Sequence, residues 1–384
     1  MSYACAGDAF VAKFDSSGNV VYSTLVGLYG AEGTAIAVDA QDQAAVNARA
    51  ASLDSQATAC TGQPAVTVLN KARSAIVAYS PVTGSYLAMD NDGGLYSAGT
   101  TSTLAFLSTP HAFQIFYGGG GSDGSTAKLD LSQPAGPELS SVVNAATFLG
   151  GSSFPAAGGP SIPVTGAIAP GEIITLFGNG FGSQPSVSFD TSPAPILYSS
   201  NCQINGVVPF SIKPGMPSFT GPFSTSSTFV SVLSGGQTIG LMQLPVVAAV
   251  PGIFTVNGTG TGQAAVINQD GTINSASNPA PRGSIIAIYM TGTGALSPPI
   301  ADGSLGPSTP PFPAPVQNIS VQIDSVPAPI VFAGQAPSLI AGVTQVNAQI
   351  PPNVPPGASV PIFVGAGGYG GFSPQGRQVF VAVQ

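Results

Sequence analysis

Apolar and polar residues alternate in short runs along this chain, and Gly, Pro, Asn or Asp cut the runs every few positions. "AFVAKF" (9–14), "SVSF" (186–189) and "SVQI" (320–323) all have this period of two, which places one face of a strand in a core and the other in solvent. No segment sustains the 3.6-residue period of an amphipathic helix with a charged outer face. Composition sharpens the picture: charged residues are 6% of the 384, with three glutamates in all, against roughly 25% charged in an average globular domain. Helices exposed to water need more charge than that. The predicted class is all-β.

The second half of the chain is written twice. "GEIITLF" (171–177) corresponds to "GSIIAIY" (283–289), each a run of strand formers leading into a Gly-rich turn. "SVSFDTSPAPILY" (186–198) then matches "SVQIDSVPAPIVF" (320–332), and "CQINGVVPF" (202–210) matches "TQVNAQIPP" (344–352). Each copy closes on a further pair of strands, and the second inserts "GQAPSLIA" (334–341) between matching strands. Several short strands per copy with Gly, Pro and Asn between them predict two β-sandwiches. Pro193/Pro195 and Pro327/Pro329 are expected at sheet edges, where a missing N–H breaks no central ladder. "GQAAVINQDGTINSASNPA" (262–280) reads as a hairpin turning at Asp270–Gly271.

These residues carry a family resemblance. "PGEIITLFGNGFG" (170–182) resembles the opening of IPT/TIG immunoglobulin-like domains. With "VVNAATF" (142–148), "PGIFTVNGTGTGQAAVINQDGTINSASNPAPRGS" (251–284), "GTGALSP" and "GVTQVNAQIP" (342–351), residues 140–384 resemble the Solibacter-type C-terminal domain of acidobacterial exported proteins. The resemblance implies a place at the end of surface or secreted proteins and brings no activity with it. The chain departs from the family pattern in its long "LGGSSFPAAGGPSIPVTG" (149–166) and in Cys202, where the second copy has Thr344.

In the first 135 residues, "GDAFVAKFDSSGNVVYSTLVG" (7–27) is strand, turn, strand, and "TAIAVDAQDQAAVNA" (34–48) parallels "YLAMDNDGGLYSAG" (86–99), Asp39 matching Asp90. Part of the alanine-rich 43–57 is expected as strand from that alignment, against its helical propensity. "STAKLDLS" (125–132) reads as the start of a third unit. The units, with "AGTTSTLAFLSTPHAFQ" (98–114), resemble SBBP-type β-propeller repeats. Two to three blades fall short of the four that closure requires. The expected organisation is therefore partial, degenerate propeller-like blades over 1–135, a linker over 136–167, an Ig-like sandwich over 168–250, a connecting hairpin over 251–281 and a second Ig-like sandwich over 282–384.

Charge and chemistry narrow the function. Net charge is −8 and the eight Lys and Arg are scattered, so no basic patch predicts nucleic-acid binding. No apolar run reaches the ~18–20 residues of a membrane helix. The N-terminus shows no signal peptide, while the Ser, Thr, Gly and Pro content suits the cell exterior, an expectation that sets the start downstream of an export signal. Cys5 and Cys60 could pair, leaving Cys202 alone; three buried free thiols is the favoured reading, since no spacing resembles a metal or redox motif.

The one histidine, His111, reads as a loop residue without triad partners. A carboxylate pair for sugar chemistry would have to come from Asp8, Asp39, Asp90, Asp92 or Asp123, most of which sit where Asp caps its own turn. "DNDGG" (90–94) lacks the later ligands of a calcium loop, and "YGGGGSDGS" (117–125) lacks the Lys and helix of a phosphate loop. Glu172 faces Ser284 in the duplicate and is expected to be exposed. Tyr369, in a Gly-rich loop, is a candidate contact residue. No catalytic, cofactor-binding or metal residue and no cofactor is assigned. The expected role is non-enzymatic, in adhesion or structural display at the cell surface or outside it, with a polysaccharide or surface protein as partner. Two alternatives are a carbohydrate-binding appendage or fragment of a propeller-based carbohydrate-active enzyme, and a C-terminal sorting or anchoring region.

Overall fold

The computed structural model describes residues 9–26, 31–50, 66–71, 76–80, 85–101, 107–108, 112–114, 122–131, 136–149, 151–154, 162–215, 226–371 and 378–384. The regular elements among them are all strands, as the alternation requires. No helix among the described residues is long and apolar enough to cross a membrane.

The N-terminal region is a pile of three small sheets. The first pairs Ala9–Phe14 with Val20–Val26, the second orders Ala31–Val38, Ala44–Ala50, Val66–Leu69 and Ile76–Ser80, and the third holds Tyr86–Met89, Gly94–Thr101 and Asp123–Asp130. Alternate residues of the middle sheet feed two cores. Val46 and Leu69 pack on Ala9, Val11 and Val26 of the first sheet. Ala45, Val66 and Val68 pack with Leu95 of the third, against Leu87, Met89 and Leu129. Ala44–Ala50 is a strand, because burial on both faces outweighs the helical propensity of alanine. Residues 123–130 do not start a third unit as expected. They pair with Gly94–Thr101 from Asp123↔Thr101 to Asp130↔Gly94 and close the third sheet. The Lys128-Leu129-Asp130 echo of Lys13-Phe14-Asp15 does not extend to burial, since Leu129 packs against a core while Phe14 is exposed.

Two sandwiches follow. The first sets Glu138–Asn144, Ile173–Asn179, Gln203–Val207 and Ile196–Ser199 against Ser192–Pro193, Ser186–Phe189, Ser226–Ser234, Gln237–Val246 and the edge strand Leu107–Ser108. Leu139, Ile174, Leu176, Ile204, Phe189, Val230, Val232 and Leu244 from both sheets fill its core. In the second, Ile286, Ile288, Met290, Val346 and Ile350 of one sheet meet Val321, Ile323, Ile362, Val364 and Val381 of the other. Fully burying one such side chain contributes about 1.5–3 kcal/mol before the entropy of ordering it is offset.

The duplication survives at the level of single hydrogen bonds. Gly171 N–H donates to Val208 O at 2.9 Å and Gly283 N–H to Ile350 O at 2.8 Å. Val208 and Ile350 donate back to Glu172 O and Ser284 O, both at 2.9 Å. Asp190 and Asp324 turn with φ of 52° and 51°. Ala194 and Ala328 then donate to Val187 O and Val321 O, both at 2.9 Å. The Pro193 and Pro327 strands are sheet edges, as expected.

Two expected boundaries move. Residues 136–167 are not a linker: Glu138–Asn144 is the first strand of the first sandwich, with Val142 opposite Leu176. In the second sandwich Val266 stands opposite Ile288 in the same way, so the 251–281 "connecting hairpin" supplies the equivalent first strand, with Asn268 in the place of Asn144. Its turn does lie at Asp270–Gly271, where Asn268 N–H reaches Thr272 O at 2.8 Å. Residues Gly151–Phe154 and Ile162–Thr165 form a hairpin added to the second sandwich through Tyr369–Gly371. Loop-rich composition concealed both assignments, because the pairing partners lie far along the chain.

Candidate functional site

The most elaborate polar arrangement lies where the two sandwiches meet end to end. Strand Glu138–Asn144 delivers Asn144 to this junction, and the Gly171 turn delivers Glu172, both buried. The two Glu172 carboxyl oxygens each accept one N–H, from Asn144 Nδ2 at 2.8 Å and from Ala169 at 2.8 Å. Asn144 Nδ2 also donates to Val250 O at 3.0 Å, while its Oδ1 accepts from the Ala146 and Thr147 N–H groups. That set of partners fixes the amide orientation. Burial pushes the Glu172 carboxyl up to about 8, outweighing the two N–H donors that pull it down.

A second strut comes from the other copy. Thr291, at the end of Ile285–Thr291, accepts from Ile173 N–H and donates to Gly342 O, both at 2.8 Å. Beside it Val250 N–H donates to Gly292 O at 2.8 Å. Gly292 has φ +76, and a Cβ there would collide with the Val250 carbonyl; one at Gly342 would collide with the Gly171 carbonyl. The Gly-rich ends of these segments therefore let one backbone lie directly on the other. Ala167, Ala169, Val247, Ala249, Val250 and Ala366 form a small apolar core across the same seam.

At the rim, Asp302 from the long 295–318 excursion of the second sandwich accepts Phe210 N–H at 2.8 Å, and Gly303 lies against Pro195. Removing one member of such a network leaves a buried partner unsatisfied at a cost of about 1–3 kcal/mol. The Ile173–Thr291 and Phe210–Asp302 bonds run directly between the two sandwiches.

Glu172 was expected to be exposed, and it is fully buried. The sequence comparison with Ser284 missed this because the first copy's end is covered by the second, whereas Ser284 lies at the uncovered end of the second copy. A lone carboxylate beside an Asn shared by both copies (Asn144, Asn268) was the available signal.

The other singled-out residues are dispersed. Asp15, Asp39 and Asp90 occupy one position in three hairpins: their Oδ1 atoms accept from the N–H groups of Asn19, Gln43 and Gly94, at 2.9, 2.7 and 2.6 Å. Each carboxylate closes its own turn. The Asn19 side chain holds Asp15 below the usual carboxylate range, and the Gly94 N–H does the same for Asp90. Asp92 donates its N–H to Asp90, and Asp123 opens a strand. Among the described residues no group of three or more His, Cys, Asp or Glu comes together.

Asp8, His111, Cys5, Cys60 and residues 117–121 lie outside the described residues. Tyr369 is not in an open loop: its backbone begins a strand paired to Ala366. Cys202, expected to be alone or free, is disulfide-bonded, and the chain's other two cysteines are Cys5 and Cys60.

No family model and no curated protein matches the chain. Among solved structures it is similar to the surface glycan-binding protein PbSGBP-B of Prevotella bryantii, at 12% identity and TM-score 0.19, covering 62% of this chain and 41% of that one. It is also similar to the gamma-CGTase of alkalophilic Bacillus clarkii, at 11% identity and TM-score 0.21, covering 76% and 38%. A third similarity, to domains 4 and 5 of the S-layer protein SbsC, has 12% identity and TM-score 0.15, covering 64% and 98%. The chain thus spans about two fifths of the length of the first two. Superpositions this poor carry no argument about what the chain does.

Proposed function

We propose that this chain is a non-enzymatic structural and display module of the cell exterior, in which two sandwiches fused end to end act as one stiff spacer. The observation that carries the reading is the junction. A flexible tandem would separate its domains with exposed linker, and here Ile173 N–H donates to Thr291 Oγ1 across the seam, Val250 N–H to Gly292 O beside it, and Phe210 N–H to Asp302 at the rim. A disulfide at Cys202 suits an oxidising compartment outside the cytoplasm. Low charge and the absence of long apolar runs in the sequence fit a body that stands in solvent without inserting into a membrane.

The test is localisation in the native host together with ligand screening. Antibody against the chain is expected to label intact cells, and external protease to remove the label, with no hydrolysis of a polysaccharide panel by the purified chain. Retention of the protein in the cytosolic fraction, or turnover of any of those polysaccharides, overturns the reading.

A further inference from the structure

The two sandwiches differ most at one sheet edge. In the second, Ile330–Gln335 is the outermost strand of its sheet, and the excursion 295–318 lies along it. Gln335 N–H donates to Pro313 O at 2.7 Å. Phe312 packs edge-on against Phe332, with ring centroids 5.8 Å apart and planes at 83°. Leu305 bridges to Ile340, and Gly306 N–H donates to Leu339 O at 2.7 Å. The covering segment is proline-rich, "STPPFPAP" over 308–315, and bends over 308–311 before Phe312 and Pro313 reach the strand.

The equivalent strand of the first sandwich, Ile196–Ser199, is also outermost. Tyr198 occupies the place of Phe332: each follows a register shift and stands opposite an asparagine, Asn205 or Asn347. Here the chain runs from Gly182 to strand Ser186–Phe189 with no excursion. Ile196, Leu197 and Tyr198 are accordingly 36%, 40% and 51% exposed. No residue from 191 to 212 is charged, so the edge lacks the usual charged guard against pairing.

We propose that strand Ile196–Ser199 is a docking edge for a proline-rich segment of another protein, with an aromatic residue between prolines seated on Tyr198. The second sandwich displays the contact internally, through Phe312 on Phe332 and the Pro313 carbonyl on Gln335 N–H. Prolines at 310, 311, 313 and 315 offer no N–H, so the contact rests on the aromatic pair and on carbonyl acceptors such as Pro313 O. The assignment does not depend on where the chain resides, so it stands or falls separately from the proposed export.

The probe is a fluorescently labelled peptide of residues 305–315, LGPSTPPFPAP, titrated against the intact chain by anisotropy. Saturable binding is expected, weakened about 10-fold by Tyr198→Ala or by Phe→Ala in the peptide, and retained by Tyr198→Phe. Hydrogen-exchange protection should appear over 196–207. Tyr198 is half exposed, so its variants should keep the wild-type urea midpoint. Absence of saturable binding, or binding indifferent to Tyr198→Ala, overturns the proposal. So does a dimer of the chain alone that Tyr198→Ala dissolves, since the edge would then belong to a second copy.

Discussion

Glu172 makes the stability of this protein depend on pH in a direction opposite to that of most carboxylates. Its ordinary value of 4.5 is raised to about 8 in the folded chain, by burial. Below the ordinary value the group is neutral in both states and contributes no slope. Between 4.5 and about 8 the unfolded chain gives up its proton and the folded chain keeps it, so stability falls as pH rises. Above about 8 both states are ionised and the loss levels off. At about 1.4 kcal/mol per unit, the full window amounts to on the order of 5 kcal/mol. Glu138, which burial also raises, adds slope of the same sign, so the difference between wild type and Glu172→Gln isolates the junction. The glutamine presents its NH2 to one of two N–H donors and should cost about 1–3 kcal/mol at pH ~5. The neutral acid keeps acceptor capacity on both oxygens and does not share that cost. Urea unfolding from pH ~5 to ~9 should therefore show wild type more stable in acid, Glu172→Gln nearly flat by comparison, and the curves crossing. Parallel curves would refute the placement of a protonated carboxyl in this seam.

Other consequences are equally direct. Gly292→Ala forces a Cβ onto the Val250 carbonyl at φ +76 and should lower stability by about 2 kcal/mol or more. It should also broaden the small-angle scattering distance distribution of the intact chain. Asn144→Ala strips Glu172 and Val250 O of a donor and should cost about 2–4 kcal/mol in the same urea assay. With Cys202 disulfide-bonded, thiol titration of the denatured chain should find more thiols after reduction than before. Reduction should cost about 2–4 kcal/mol, read as a fall in Tm.

The strands and the duplication were legible because both rest on local pattern. "GEIITLF" and "GSIIAIY" declare alternation and a shared turn without knowledge of their neighbours, and the Asp15, Asp39 and Asp90 turns are local hydrogen bonds. Whatever depends on a distant partner was hidden. Glu138–Asn144 looked like linker because its mate begins at Ile173. Asp123–Asp130 looked like a beginning because its mate precedes it at Gly94–Thr101. Glu172 looked exposed because nothing in its own copy announces that the second sandwich will cover it. The same logic explains Ser284, the duplicate of Glu172, which meets water where the first copy meets a neighbour. Stacked repeats need a polar outer end of this kind.

The central claim is that the two sandwiches form one rigid body. Spin labels introduced as unnatural amino acids at Thr238 and Ser359, both exposed and one on each sandwich, report the distance between them by pulsed electron resonance. The junction predicts one narrow distance distribution in the wild-type chain that broadens in Gly292→Ala. A broad distribution in the wild type, unchanged by the substitution, would contradict the account.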